Sequence, residues 1–130
     1  MDIKERILVE RLKGHCCSES IMSMFMDDSG RENDGLIKAM GAFCGGLREG
    51  LVCGALAAAV SVIFTVAESR EQARDELRPE MMKWFHDRYG SYSCADLIDG
   101  DETRKTTLCP IIIEETYCRL LEMLEDTGLH

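Results

Sequence analysis

No CxxC pair occurs anywhere in this 130-residue chain. That absence excludes the thioredoxin-type redox motif, zinc ribbons and paired-knuckle fingers, and CxxCH haem attachment. The ferredoxin cysteine runs are missing, and so is a Walker loop. Proline occurs only twice, which leaves no Pro-rich linker. Basic residues are scarce: 15 stand against 24 acidic ones, a formal charge of −9. This balance argues against nucleic acid and against an anionic membrane as main partners. Long apolar runs are limited to one, the uncharged stretch 51–67 (LVCGALAAAVSVIFTVA). At 17 residues it sits at the bottom of the spanning range and is rich in alanine, so it reads as a buried central helix and not as a membrane span.

What the chain does have is cysteine, seven in all. Residues 1–13 are charged and carry neither a signal-type apolar run nor a twin-arginine signal, so the expected location is cytoplasmic. Thiols stay reduced there, and an odd cysteine count fits a disulfide framework poorly. Metal or redox chemistry is the better expectation, against the plainer one that several are small core residues. The length suits one domain, residues 1–130, able to bury a real core.

Periodicity predicts helix almost throughout. Residues 3–12 place Ile3, Ile7, Leu8 and Leu12 on one stripe, ended by Gly14. Helices follow over 17–26, 35–47 and 51–67; the third of these four carries Leu36, Met40, Phe43 and Leu47. Residues 69–89 are helical, with Pro79 starting a new helix or kinking the old one. Residues 94–98 form a short turn of helix, and 110–124 the last helix, with Pro110 at its first position. The triplet Ile111-Ile112-Ile113 is β-branched, but Pro110 and the periodic tail favour helix over strand. The expected fold is an all-α, single-domain bundle of about five or six helices around a buried central one.

Residues three, four and seven apart share a helix face, and this sorts the cysteines. Cys17 lies above Ile21, Met24 and Phe25 and should point inward; Cys16 lies above Ser20, Ser23 and Asp27 and should point outward. Cys109 shares a face with Ile113, Thr116 and Leu120, whereas Cys118 joins Glu114, Glu122 and Glu125 and should be peripheral. Cys53 sits above Ala57, Val60 and Phe64, with small neighbours Gly54, Ala55 and Ala58 that let another backbone approach. Ser93 and Asp96 have capping-box spacing, which puts Cys94 in the first turn of its helix. Cys17, Cys53, Cys94 and Cys109 thus fall at or near helix starts, where the partial positive charge lowers a thiol's pKa. Four inward thiolates suit an iron–sulfur cluster or tetrahedral zinc.

Cys44 shares a face with Ile37 and Met40 and precedes Gly45-Gly46. It is expected either in the core or, through a tight chain reversal, beside Cys53 and able to pair with it. His15 reads as a loop residue, Glu114-Glu115 as a solvated face, and methionines such as Met22, Met24, Met81 and Met82 as core packing.

The order Cys17-Ser-Glu-Ser, Phe43-Cys-Gly-Gly, Cys53-Gly-Ala, Tyr89-Gly-Ser-x-x-Cys94 and Cys109 resembles the C-GCAxxG-C-C family of redox-active proteins, over about residues 14–124. A similar domain is attached to split-Soret cytochromes, where an iron–sulfur cluster is ascribed to it. The resemblance implies that the family cysteines are Cys17, Cys53, Cys94 and Cys109. Two positions depart from the pattern: Ala58 replaces the last glycine of CGAxxG, and Cys44 stands where glycine is usual. The resulting expectation is a redox or electron-transfer protein holding a four-cysteine iron–sulfur site, with Cys17, Cys53, Cys94 and Cys109 as ligands. The alternatives are a metal-free thiol–disulfide protein and a structural zinc or interaction domain. No catalytic residue is assigned; the chain reads as a redox protein and not as a hydrolase or transferase. A redox partner protein of unknown identity is expected, and a homodimer is left open.

Overall fold

The computed structural model describes residues 1–129 and is all-α, with no strand among them. Seven α-helices follow in order: α1 Ile3–Leu12, α2 Cys17–Ser29, α3 Asp34–Met40, α4 Gly54–Val66, α5 Arg78–Tyr89, α6 Cys94–Leu97 and α7 Lys105–Asp126. The count exceeds the expected five or six because the short turn at 94–97 is a separate helix.

Local chemistry explains most boundaries. Asp2 caps α1, its carboxylate accepting from the Glu5 N–H at 2.9 Å. Gly30 ends α2 in the left-handed conformation, φ 68°. Pro79 lies in the first turn of α5, and a π-helical segment, Gln72–Leu77, leads directly into it; the Arg78 guanidinium donates to the Arg74 carbonyl one turn earlier at 3.1 Å. Ser93 caps α6 by accepting from the Asp96 N–H at 3.3 Å, as its spacing predicts.

Several boundaries differ from expectation, two of them by five residues or more. The helix expected over 35–47 stops at Met40 and passes into a 3₁₀ turn, Gly41–Phe43. The last helix begins at Lys105, not at Pro110, which lies inside α7. The carbonyl that Pro110 leaves without an N–H belongs to Thr106, an exposed residue within reach of solvent.

The core sits where α2 and α4 pack on each other, with α5 and α7 against α4 and α1 against α2 and α7. Ile21, Met24, Leu56, Val62, Ile63, Met81, Phe85, Ile113, Tyr117 and Leu120 are buried there. α4 is the buried central helix expected from 51–67, but Leu51 and Val52 lie outside it and are exposed, as is Phe64. On α1 only half the predicted stripe is inward: Ile7 is buried, while Leu8 and Leu12 are 59% and 79% exposed. The inward place on that helix goes to Glu10, whose carboxylate binds Lys13 Nζ and His15 Nδ1, each at 3.0 Å. His15 is therefore a loop anchor beside the first cysteines.

Candidate functional site

The chain from Cys44 onward makes an unusual turn. Gly45, Gly46, Leu47 and Arg48 all have positive φ, between 57° and 62°. Each non-glycine residue in that conformation costs about 1–2 kcal/mol. The turn is closed by Arg48 N–H to Cys44 O at 2.9 Å and Leu51 N–H to Gly46 O at 3.0 Å. A Cβ on Gly46 would lie 2.4 Å from the Leu51 nitrogen, so only glycine fits.

The segment leaving this turn then pairs with the segment before α6. Cys53 N–H donates to Tyr92 O at 2.8 Å, Cys94 N–H to Leu51 O at 2.6 Å, and the Ser93 hydroxyl to Gly50 O at 2.8 Å. These bonds set Cys53 and Cys94 side by side although 41 positions separate them in the sequence. The start of α4 also presses against α2. A Cβ on Gly54 would lie 2.7 Å from Cys17 Sγ and 2.9 Å from Phe43 O, so the glycine after Cys53 is what allows the contact.

The result is a cavity of about 450 Å³ whose walls include Cys16, Cys17, Cys44, Cys53, Cys94 and Cys109. Its size lies in the ordinary range for ligand and cofactor sites, about 300–1,000 Å³. Arg11, Arg48 and Lys105 line it against a single carboxylate, Glu102, which pairs with Lys105 at 2.8 Å. The cavity wall is thus cationic in a chain of net charge −9. α2 and α4 both begin at it, adding the positive ends of their dipoles.

The cysteines differ in state. Cys17, Cys53, Cys94, Cys109 and Cys118 are free thiols. Cys17 and Cys53 act as a pair: a hydrogen bond from Cys53, with backbone N–H groups including those of Ser18 and Ala55, lowers the Cys17 pKa to about 7. Cys53 moves the opposite way, raised by that same hydrogen bond and by burial. Burial, reinforced by the nearby Cys17 and Cys94 charges, pushes Cys109 up to about 11. Cys94 is raised by burial, which the Lys105 charge offsets in part.

Cys17, Cys53, Cys94 and Cys109 line one cavity, and Cys118 is exposed and not among its lining residues. The face drawn for Cys53 through Ala57, Val60 and Phe64 does not account for its place, since Cys53 precedes α4 with non-helical backbone and Phe64 is exposed. Cys109 is not at a helix start, however: it is in the second turn of α7, because that helix begins before Pro110. Two expectations are overturned. Cys16 does not point away from the site; it forms a disulfide with Cys44, with Cα atoms 5.8 Å apart. Cys44 accordingly pairs with Cys16 and not with Cys53. Cys16 is the residue before α2, with extended backbone (φ −82°, ψ −175°), so a helical projection does not apply to it. The polar face drawn from Ser20 and Ser23 is itself buried, since small hydroxyl side chains let α2 be enclosed on nearly every side. A readable signal was present: Cys16-x-x-Glu19 has capping spacing, and the Glu19 carboxylate does accept from the Cys16 N–H at 3.0 Å. Sequence reasoning also missed Arg11, Arg48 and Lys105, for which no local pattern exists.

No curated protein and no solved structure matches the chain. The family model described as "Putative redox-active protein (C_GCAxxG_C_C)" matches residues 15–123, most of the chain's length, so this protein belongs to that family.

Proposed function

We propose that the cavity is an electron-transfer centre in which Cys17, Cys53, Cys94 and Cys109 hold an iron–sulfur cluster. One observation carries the reading: four unpaired thiols, contributed by α2, the residue before α4, α6 and α7, line one cavity. The donor set fits such a cluster, since iron–sulfur clusters are held by cysteine thiolates. Arg11, Arg48 and Lys105 sit where they would balance the charge of four thiolates. Backbone N–H groups of Ser18 and Ala55 already hydrogen-bond the Cys17 sulfur. Burial of Cys53 and Cys94 limits solvent at the site. When bound, the cluster supplies one-electron exchange; the protein's residues hold its sulfurs, offset its charge and exclude water.

A second reading is favoured by the paired pKa shifts of Cys17 and Cys53. In it the Cys17 thiolate attacks a substrate disulfide, forming one mixed disulfide and releasing one thiolate. Cys53, once deprotonated, attacks the Cys17 sulfur, releases the second thiolate and leaves a Cys17–Cys53 disulfide. No metal is required.

Anaerobic purification, followed by a visible spectrum and iron and acid-labile sulfide analysis, tests the first reading. Matched iron and sulfide with sulfur-to-iron charge-transfer bands support it; zinc without iron points to a structural metal site; a colourless metal-free protein removes it. For the second reading, the pH dependence of Cys17 alkylation in the reduced, metal-free protein should have its midpoint near 7. Cys53→Ser should move that midpoint, whereas Cys118→Ser should not. A Cys17 midpoint in the ordinary thiol range contradicts the thiol–disulfide reading.

A further inference from the structure

Cys16, Cys44 and Glu19 form a second cluster of donors; its two cysteines also line the cavity but are not among the cavity's four free thiols. The cluster's ligand atoms all lie within 4.8 Å of one another. Three different constraints bring them together. Glu19 is turned back toward the start of α2 by the bond from the Cys16 N–H. Gly41 leaves it room: a Cβ there would be 3.3 Å from Glu19 Oε2. Ser18, buried, ties α2 to the end of α3 by donating to Met40 O at 2.7 Å, which holds the following turn and Cys44 against Cys16.

We propose that, once the Cys16–Cys44 disulfide is reduced, Cys16, Cys44 and Glu19 bind a thiophilic divalent cation of the zinc type, and that reoxidation releases it. The spacing suits this ion. A tetrahedral zinc with Zn–S of about 2.3 Å and Zn–O of about 2.1 Å holds sulfur and oxygen about 3.6 Å apart. Cys44 Sγ and Glu19 Oε1 already stand 3.7 Å apart. The same geometry needs the two sulfurs about 3.8 Å apart. With the Cα atoms at 5.8 Å, side-chain rotation supplies that separation once the S–S bond is broken. Two thiolates and one carboxylate exceed the charge of a divalent ion by one, and the fourth position remains open to water. The ion would enter from the cavity, since both cysteines line it.

The redox step balances. A low-molecular-weight dithiol passes two electrons and two protons to the Cys16–Cys44 bond, which becomes two thiols while the dithiol becomes a cyclic disulfide. Metal binding then displaces the two thiol protons. In reverse, a low-molecular-weight disulfide accepts two electrons from the two thiolates, the Cys16–Cys44 bond re-forms, and the metal leaves because its two sulfur donors are gone. Cation binding here is thereby exclusive with the disulfide and takes none of its donors from the other four cavity thiols.

Cobalt(II) titration under anaerobic reduction provides the test. The Cys53→Ser/Cys109→Ser background removes the four-thiol set, and its helicity is checked by circular dichroism. This protein should bind one cobalt per chain, with thiolate-to-cobalt charge-transfer bands. Adding Cys44→Ser should abolish them, and Glu19→Gln should weaken binding by at least about tenfold. Excess oxidised glutathione should release the cobalt as the Cys16–Cys44 crosslink appears by mass spectrometry. If the double variant does not fold, the same comparison is read in the otherwise native chain as one cobalt fewer in Cys44→Ser. Cobalt binding indifferent to Cys44, or retained after the crosslink forms, overturns the proposal. Because the double variant holds no complete four-thiol set, failure of the iron–sulfur reading leaves this result unaffected.

Discussion

α2, α4 and α7 each pass through two environments. Toward their C-terminal parts, Met24, Phe25, Val62, Ile63, Leu120 and Met123 meet one another in close-packed hydrocarbon. Toward their N-terminal parts the same helices bring Cys17, Cys53 and Cys109 to a hollow of about 450 Å³. The first region is held by burial, which is non-directional and tolerates many apolar sequences. The second is held by specific local features: a disulfide, a left-handed turn, a glycine under a sulfur, and backbone bonds between residues 50–53 and 92–94. One region stabilises the fold; the other spends local strain to keep a space open and lined with thiols.

That contrast can be broken first at the hydrocarbon end. Leu120 is fully buried, so Leu120→Ala should cost about 2–5 kcal/mol in denaturant unfolding. The free-thiol count of the native protein should not change. At the other end, Cys44→Ser should cost about 3–4 kcal/mol under oxidising conditions, from the loop-closure entropy of a 28-residue separation. Under full reduction the same variant should match the wild type closely, and a loss of equal size in both conditions would show that Cys44 acts through packing. Gly54→Ala drives a methyl toward Cys17 Sγ and the Phe43 carbonyl, for an expected loss of about 1–3 kcal/mol. It should also displace Cys17, so its alkylation rate should change where that of Cys118 does not. The smallest effect should be a gain: Leu47→Gly relieves a left-handed residue whose side chain is exposed, for about 0.5–1 kcal/mol of added stability.

The two regions were not equally legible. Helical periodicity gave the buried face of α7 and the Ile21, Met24 and Phe25 side of α2, because a repeating pattern registers a repeating environment; on α4 the face drawn through Ala57, Val60 and Phe64 is the less buried one. It failed at Cys16 and Cys44, which flank helices without belonging to them: one is the residue before α2, the other follows a 3₁₀ turn. It failed again on α1, where Glu10 takes an inward place that Leu8 and Leu12 do not, because Lys13 and His15 satisfy its carboxylate. Pro110 misled for a different reason. Its preference for a first helical position is a tendency, and a helix can run through it where the freed carbonyl faces water. The left-handed turn at 45–48 was foreshadowed by Gly45-Gly46, but no residue pattern announces that Leu47 and Arg48 follow them into it. Arg48 reaches the cavity only as a result of that turn.

The central proposal is that Cys17, Cys53, Cys94 and Cys109 hold one iron–sulfur cluster and the other three cysteines do not take part in it. Iron bound per chain, measured after anaerobic purification across the seven single Cys→Ser variants, tests it most directly. The account predicts wild-type iron in Cys16→Ser, Cys44→Ser and Cys118→Ser, and a large loss in Cys17→Ser, Cys53→Ser, Cys94→Ser and Cys109→Ser. A wild-type protein without iron, or a loss in Cys118→Ser as large as that in Cys53→Ser, would contradict it.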